Sequence, residues 1–313
     1  MKRAILFAVL LSLLAVSACA PKNKAPEREG WDNGPLYGDV GSVTITEYKF
    51  TEKLGEVVKG VYDKNVYNFN QQGDVVEVVE SYYEGSPVWY RWLYRYDYQG
   101  NLIERDFYGS DGLGGKWLYK YDSQGNQIED AEYNYDGSLS SKRICKYDSQ
   151  GNMIEEIACI VFRGMHGSAS YKSHYKYDSR GNMIEQVVYD PDGTMSEKYF
   201  LNNKYDSQGN LIGSVSCDSC GIFFSTDYKY DSKGNLVEEA EYNYDGLLSS
   251  RTLYKYDLRG NLVEEAMYKG DGLLGEKKLC KYDSQGNLIE RIEYVGENMK
   301  PTKMVVQEIV YRK

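Results

Sequence analysis

The sequence predicts an all-β fold: an antiparallel β-hairpin repeat array of about nine 26-residue copies, forming an extended twisted or partly coiled sheet. Three observations carry this expectation. Glycines 73, 100, 125, 151, 181, 209, 234, 260 and 286 recur at intervals of 25 to 30 residues, a near-constant period that signals a repeat architecture. Each copy holds two turn sequences, such as Asp257-Leu258-Arg259-Gly260 and Asn243-Tyr244-Asp245-Gly246. In both, Asp or Asn stands where its side chain can accept a backbone N–H, and Gly stands where a positive φ is needed. The segments between the turns alternate with a period of two, and none has helical spacing.

The elements follow in chain order. Residues 1–18 read as a targeting segment: Lys2 and Arg3 precede an apolar run over residues 4–16, which is too short for a good spanning helix. Val16-Ser17-Ala18-Cys19 resembles the cleavage box of bacterial lipoproteins. That resemblance implies a diacylglycerol on Cys19 and attachment to the membrane through it, in the cell envelope and by preference the outer membrane. Residues 19–42 read as a flexible tether, with Pro21, Pro26 and Pro35 among charged residues and little apolar surface to bury.

The β-repeat domain is expected over residues 43–313. Val43-Thr44-Ile45-Thr46 alternates like a strand, and residues 48–58 look like an eroded first repeat. Terminal repeats are commonly atypical because they cap an exposed edge. Nine copies fill residues 67–294, and the alternating stretch 304–311 is placed to close the far end. The most irregular copies lie near residues 163–168 and 217–220, where inserted loops would mark a special surface.

Simple hairpin pairing puts Tyr254 opposite Glu264, and so sets Tyr254, Tyr256, Leu262, Glu264 and Ala266 on one face. This leaves two features unexplained: a Glu recurs on the Tyr face, and Ile or Val follows the Leu position in all nine copies. A one-residue slip of register would exchange the faces.

Composition narrows the function. The formal charge is −10, and without Lys2 and Arg3 the remainder holds 35 basic against 47 acidic residues. Nucleic acid and anionic headgroups are poor partners for such a chain. Its 32 tyrosines suit strands and offer an apolar ring with a polar tip. Cys217 and Cys220 form a lone C-x-x-C, which a local disulfide would suit in an exported protein; no second pair completes a zinc site. His166 and His174 are the only histidines, and no catalytic or phosphate-cradling motif is present. The chain is therefore read as non-enzymatic, with no cofactor and no metal.

The stretch Tyr254-Lys255-Tyr256-Asp257-Leu258-Arg259-Gly260-Asn261-Leu262 resembles the YD repeat of the Rhs family, and Asp245-Gly246 matches that family's mid-repeat turn. The resemblance covers residues 67–294. It implies long β-sheets that can coil into a shell, found in polymorphic toxins, in cell-surface proteins and in carbohydrate-binding chains. The expected function is a cell-envelope lipoprotein whose Tyr-rich surface binds glycan or protein. The alternatives are a spacer or scaffold for an envelope complex, or an association with Rhs-type toxin systems. Trp89, Trp92 and Trp117 depart from the repeat pattern and cluster in the early copies. With Tyr94, Tyr119 and Glu104 they are the candidate ligand-binding residues, because rings stack on sugar faces and a carboxylate accepts sugar hydroxyls.

Overall fold

The computed structural model describes residues 31, 33–53, 56–82, 89–161, 168–218, 221–296 and 299–313. Twenty strands run through them. The first ten are β1 (Val40–Lys53), β2 (Glu56–Phe69), β3 (Val75–Tyr82), β4 (Trp89–Tyr96), β5 (Leu102–Gly109), β6 (Gly112–Tyr121), β7 (Gln127–Asn134), β8 (Leu139–Tyr147), β9 (Met153–Val161) and β10 (Ser168–Tyr177). The rest are β11 (Met183–Tyr189), β12 (Met195–Tyr205), β13 (Leu211–Asp218), β14 (Gly221–Tyr230), β15 (Leu236–Tyr242), β16 (Leu248–Tyr256), β17 (Leu262–Lys269), β18 (Leu274–Tyr282), β19 (Leu288–Val295) and β20 (Lys300–Tyr311).

Each strand pairs antiparallel with its successor, and β20 returns to pair with β1, setting Thr44 opposite Glu308 and Tyr48 opposite Met304. The sheet is therefore a closed 20-stranded barrel. This corrects the extended twisted or partly coiled sheet expected from the repeats. An even number of strands lets the closing contact be antiparallel too, and closure leaves no edge exposed. Residues 43–66 form two 14-residue strands rather than an eroded repeat. The stretch expected to close the far end does so, as β20, by bonding to both β19 and β1.

The seam carries the main apolar core. Val40, Val43, Val75 and Leu36 are almost fully buried there with Phe69, Val78 and Val305. Trp31 meets Tyr67 and Phe69 edge-on, at 5.2 and 5.6 Å between ring centroids. Ahead of β1 the chain is fastened to the other end of the sequence. The Tyr37 N–H donates to Asn287 Oδ1, and the fully buried Asn287 donates through Nδ2 to Tyr311 Oη at 2.7 Å. Arg312 donates to the Phe69 carbonyl at 2.6 Å and pairs with Asp39 at 2.5 Å. The folded part thus begins ahead of position 43. Residues 1–30, including the signal segment and Cys19, lie outside the described residues.

Both turn sequences build one geometry. In the first, Asp257 N donates to Asn261 O at 2.9 Å and Gly260 N donates to Asp257 O at 3.1 Å, with φ of 90° at Gly260. In the second, Asn243 and Leu247 are joined in the same way around Gly246. This is the three-residue hairpin loop that glycine permits. The Asp carboxylate fixes it further: Asp122 Oδ1 accepts the N–H groups of Gln124 and Asn126, and Oδ2 accepts Asn126 Nδ2 at 2.9 Å. The first turn makes the same bonds with the two residue types exchanged, Asn70 Oδ1 accepting from Asp74 N.

Register departs from simple pairing one step after each turn. Tyr256 faces Leu262, but Lys255 faces Glu264 and Tyr254 faces Glu265, so Val263 is an extra, bulged residue. The same slip leaves Val76, Ile103, Ile154, Ile184 and Ile289 as the extra residues of their hairpins. This accounts for the β-branched residue after every Leu position. At the second turn the extra residue is small, Ser249 in one copy and Gly275 in another. The slip also corrects the faces. Glu264 lies with Lys255, and Glu265 lies with Tyr254. Because a bulge bends and twists its strand, repeating one in every hairpin supplies the curvature that closes the sheet.

The bulge also explains the second Tyr, present in every copy but the first, which has Phe69. Ladder pairing between β17 and β18 ends at Glu264 and Leu279, which leaves the Leu262 carbonyl beyond it. Tyr282 Oη donates to that carbonyl at 2.8 Å, as Tyr256 does to Leu236 O at 2.8 Å and Tyr121 to Leu102 O at 2.9 Å. An unmade bond to a half-buried carbonyl costs free energy, so each Tyr replaces a missing ladder bond.

Two predictions follow from this frame. Tyr282→Phe keeps the ring and removes the donor, so it should lower unfolding stability by about 1 kcal/mol; an unchanged denaturant midpoint would show that the carbonyl is satisfied otherwise. Acid should weaken the barrel through its turns and its Lys–Glu contacts. The Asn126 amide and the turn N–H groups hold the Asp122 carboxyl below its usual 3.8, and hydrogen bonds from Lys146 and Lys172 hold Glu155 at about 2 instead of 4.5. Depressed values favour the folded state above the unfolded-chain pKa, and the benefit disappears as pH falls through the folded one. The urea midpoint should stay flat above about pH 5 and fall steadily from about pH 4.5 towards 2.

Candidate functional site

The two faces of the sheet carry different chemistry. On one, most repeats carry a Glu, commonly held between two cations from neighbouring strands. Glu264 is held by Lys255 at 2.8 Å and Lys277 at 2.9 Å, and Glu155 by Lys146 at 2.7 Å and Lys172 at 2.8 Å. Glu104 belongs to this ladder. It pairs with Arg95, and with Lys116 at 2.8 Å. Burial raises its carboxyl, but the two cations outweigh that and the net shift is downward. Its partners are structural, and it points away from the aromatic candidates grouped with it on sequence grounds.

The other face is the Tyr face, and there Trp92, Tyr94, Trp117 and Tyr119 do converge. Trp92 and Trp117 occupy the same position in successive copies, each opening Trp-Leu-Tyr-(Arg/Lys)-Tyr-Asp. Between their strands runs β5, with Arg105 opposite both Tyr94 and Trp117 and Phe107 opposite Trp92. The rings of Trp92 and Trp117 lie 5.3 Å apart, Phe107 is 4.6 Å from Trp92, and Tyr90 stacks on Phe107 at 5.3 Å. Gly115 stands beside the site in β6; a Cβ there would lie 3.3 Å from the Trp117 ring. The Trp92 indole N–H donates to Glu80 Oε1 at 3.1 Å. Burial pushes the Tyr94 phenol up to about 12, despite the nearby Arg105 charge, so it remains a neutral hydroxyl.

The residue that sequence reasoning missed is Arg105. Its guanidinium carbon sits 4.8 Å from the Trp92 ring centre and 4.6 Å from that of Trp117. A cation over two indole faces is attracted by both quadrupoles. The signal in the repeat was partial: the position of Arg105 is held by Asp130, Glu156, Glu239 and Glu265 in four other copies, but by Arg291 in another. The other missed members, Tyr90, Phe107 and Glu80, bear no such mark, because aromatics and acids are common throughout the chain.

The remaining candidates fall elsewhere. Trp89 opens β4 opposite Ser81, and its side chain lies outside the described residues. Cys217 stands in β13, and Cys220 lies outside the described residues, as does most of the 163–168 loop. A second polar group surrounds the buried Glu156, which accepts from Tyr171 at 3.0 Å and Tyr175 at 2.9 Å. Its geometry repeats in Tyr254 donating to Glu239 at 2.9 Å, so it belongs to the frame.

No protein family and no curated protein matches the chain. Solved structures share its architecture only loosely. TcdB2-TccC3 is 11% identical over 86% of this chain and 20% of its own, with a TM-score of 0.34. A porin-like protein from Bacteroides uniformis is 9% identical over 87% of this chain and 98% of its own, with a TM-score of 0.35. One from Bacteroides vulgatus is 11% identical over 88% and 99%, with a TM-score of 0.29. This chain therefore spans about a fifth of the length of the TcdB2-TccC3 chain.

If the guanidinium rests on the indole rings, Arg105 and Trp117 are energetically coupled. A double-mutant cycle of Arg105→Met and Trp117→Leu should give a coupling of about 0.5–2 kcal/mol in unfolding free energy. Additive single effects would place the arginine off the ring.

Proposed function

We propose that this chain is a non-enzymatic envelope lipoprotein whose barrel binds glycan at the Trp92–Trp117–Arg105 cluster on the Tyr face. The observation that carries the reading is the pairing of the two indoles at the same repeat position. Elsewhere that position holds Arg143, Ser173, Leu201, Thr226, Thr252 and Lys278. The fold therefore does not need an aromatic residue there. Two adjoining indoles with a guanidinium over one side of them and a phenol nearby offer an aromatic surface to a sugar ring, with donors to meet its hydroxyls.

Membrane attachment is assigned to the lipid on Cys19 and not to the barrel wall. A lipid-embedded barrel needs a continuous apolar band on its outer face and strands of about 9–11 residues. Here both faces carry charge in mid-strand. Lys278–Glu265 and Arg143–Asp130 lie on the Tyr face, opposite the Lys–Glu ladder. Strands such as β11 and β15 have 7 residues.

The reading is tested by screening the full chain, purified in detergent, against a panel of neutral and acidic polysaccharides. The Trp92→Ala/Trp117→Ala variant should lose retention while keeping its far-ultraviolet circular dichroism. Undiminished binding by the folded variant, or a wild-type protein that retains no polysaccharide, would reject it.

A further inference from the structure

We infer that the site selects acidic sugars, with Arg105 as the residue that reads the carboxylate or sulfate group; this rests on the glycan reading above and names its ligand class. Three observations converge on Arg105. The first is its lack of an acidic partner. Among the described residues, the other strand arginines each pair with a carboxylate: Arg91 with Glu77 at 2.5 Å, Arg143 with Asp130 at 2.6 Å, Arg251 with Glu238 at 3.5 Å and Arg291 with Glu293 at 3.0 Å. Arg95 pairs with Glu104. Arg105 has no such pair, and its Nε is buried with no acceptor. A guanidinium has five donors and stays ionised, so one without a carboxylate partner in an aromatic setting is suited to receive an anion.

The second observation is the change of sign within the repeat. Asp130, Glu156, Glu239 and Glu265 hold the equivalent position in four other copies and Arg291 holds it in a fifth, where it pairs with Glu293, so Arg105 differs in being a cation there without a carboxylate. This copy also holds the paired indoles. The third is that nearby carboxylates are engaged elsewhere. Glu80 is turned to the Trp92 indole N–H, Glu104 and Asp106 are held from the opposite face by Arg95 and Lys116, and Asp130 is taken by Arg143. The aromatic rings orient the guanidinium and exclude water from one side of it. A sugar stacked at the rim of the indoles would set an equatorial carboxylate or sulfate ester against the free donors, where a charge-assisted bond is strongest. The chain's net charge of −10 opposes non-specific capture of polyanions, so selection of an acidic ligand requires a local cation of this kind.

The test uses matched probes that differ only in charge: polygalacturonate against its methyl ester, and dextran sulfate against dextran. Binding to the full chain in detergent is measured at low and moderate salt. We expect at least one acidic member to bind about ten-fold or more tightly than its neutral partner. Arg105→Gln should erase that preference, so that the acidic and neutral members of each pair bind alike. Arg251→Gln removes a cation already paired on the other face, and should leave the preference intact. A preference that survives Arg105→Gln, or falls equally in both variants, overturns the inference. So does equal affinity for both members of each pair, although the glycan reading then stands. Binding to none of the four probes removes both readings. The two pairs separate a carboxylate reader from a sulfate reader.

Discussion

One unpaired residue after each turn governs this structure. Val263 and its counterparts break the ladder one step past the hairpin loop, and three consequences follow from that break. Side chains beyond it exchange faces, so that Glu264 meets Lys255 and the following Glu265 meets Tyr254. A carbonyl is left without a ladder partner, and a tyrosine hydroxyl supplies one. The strand bends, and repetition of the bend carries the sheet round to its own beginning. The hydrophobic contribution is modest by comparison. The main buried apolar cluster lies at the seam, where β1, β2, β3 and β20 meet residues ahead of β1, and Trp92 and Tyr94 of β4 pack against it.

The sequence made the turns legible and concealed the bulges. Asp and Gly at fixed offsets specify a loop through local bonds, so Asp257–Asn261 and Asn243–Leu247 could be read directly. The bulge has no comparable local chemistry. It shows only as a β-branched residue after each Leu and as an acid that falls on the wrong face under simple pairing. Both anomalies were visible in residues 262–265, and together they amount to a displacement of one residue. Closure was hidden for a different reason. It depends on β1 meeting β20 across almost the whole chain, and neither strand carries the repeat pattern. The seam sequence looks like decay of a repeat, yet it is the joint that ends the array.

The candidate site was half legible on the same terms. Trp92 and Trp117 were visible as departures from the pattern, since rare large residues stand out in a repeat. Glu104 was misplaced by the unrecognised bulge, which moved it to the Lys–Glu face. Arg105 escaped notice because arginine is unremarkable in a charged chain. It acquires meaning only when set beside Arg291, which holds the same repeat position but pairs with Glu293, and seen without a carboxylate.

The position of the site within the strand has a physical reason. Interactions that specify the fold are concentrated at the strand ends: the Asp–Asn turn, the bulge, and the tyrosine that caps it. Mid-strand positions on the Tyr face carry none of these duties, and the position of Trp92 and Trp117 accepts Arg, Ser, Leu, Thr or Lys in other copies. A substitution there changes surface chemistry at small cost to the frame, since backbone pairing is unaffected by side-chain identity. The two positions lie on β4 and β6 with β5 between them, and the large indoles reach across it to meet at 5.3 Å. Closure then holds the two strands in fixed relation, which limits the side-chain ordering needed on binding. A repeat barrel of this kind separates the residues that hold the frame from those free to vary, and among the described residues the two indoles and the guanidinium of Arg105 coincide at positions of the second kind.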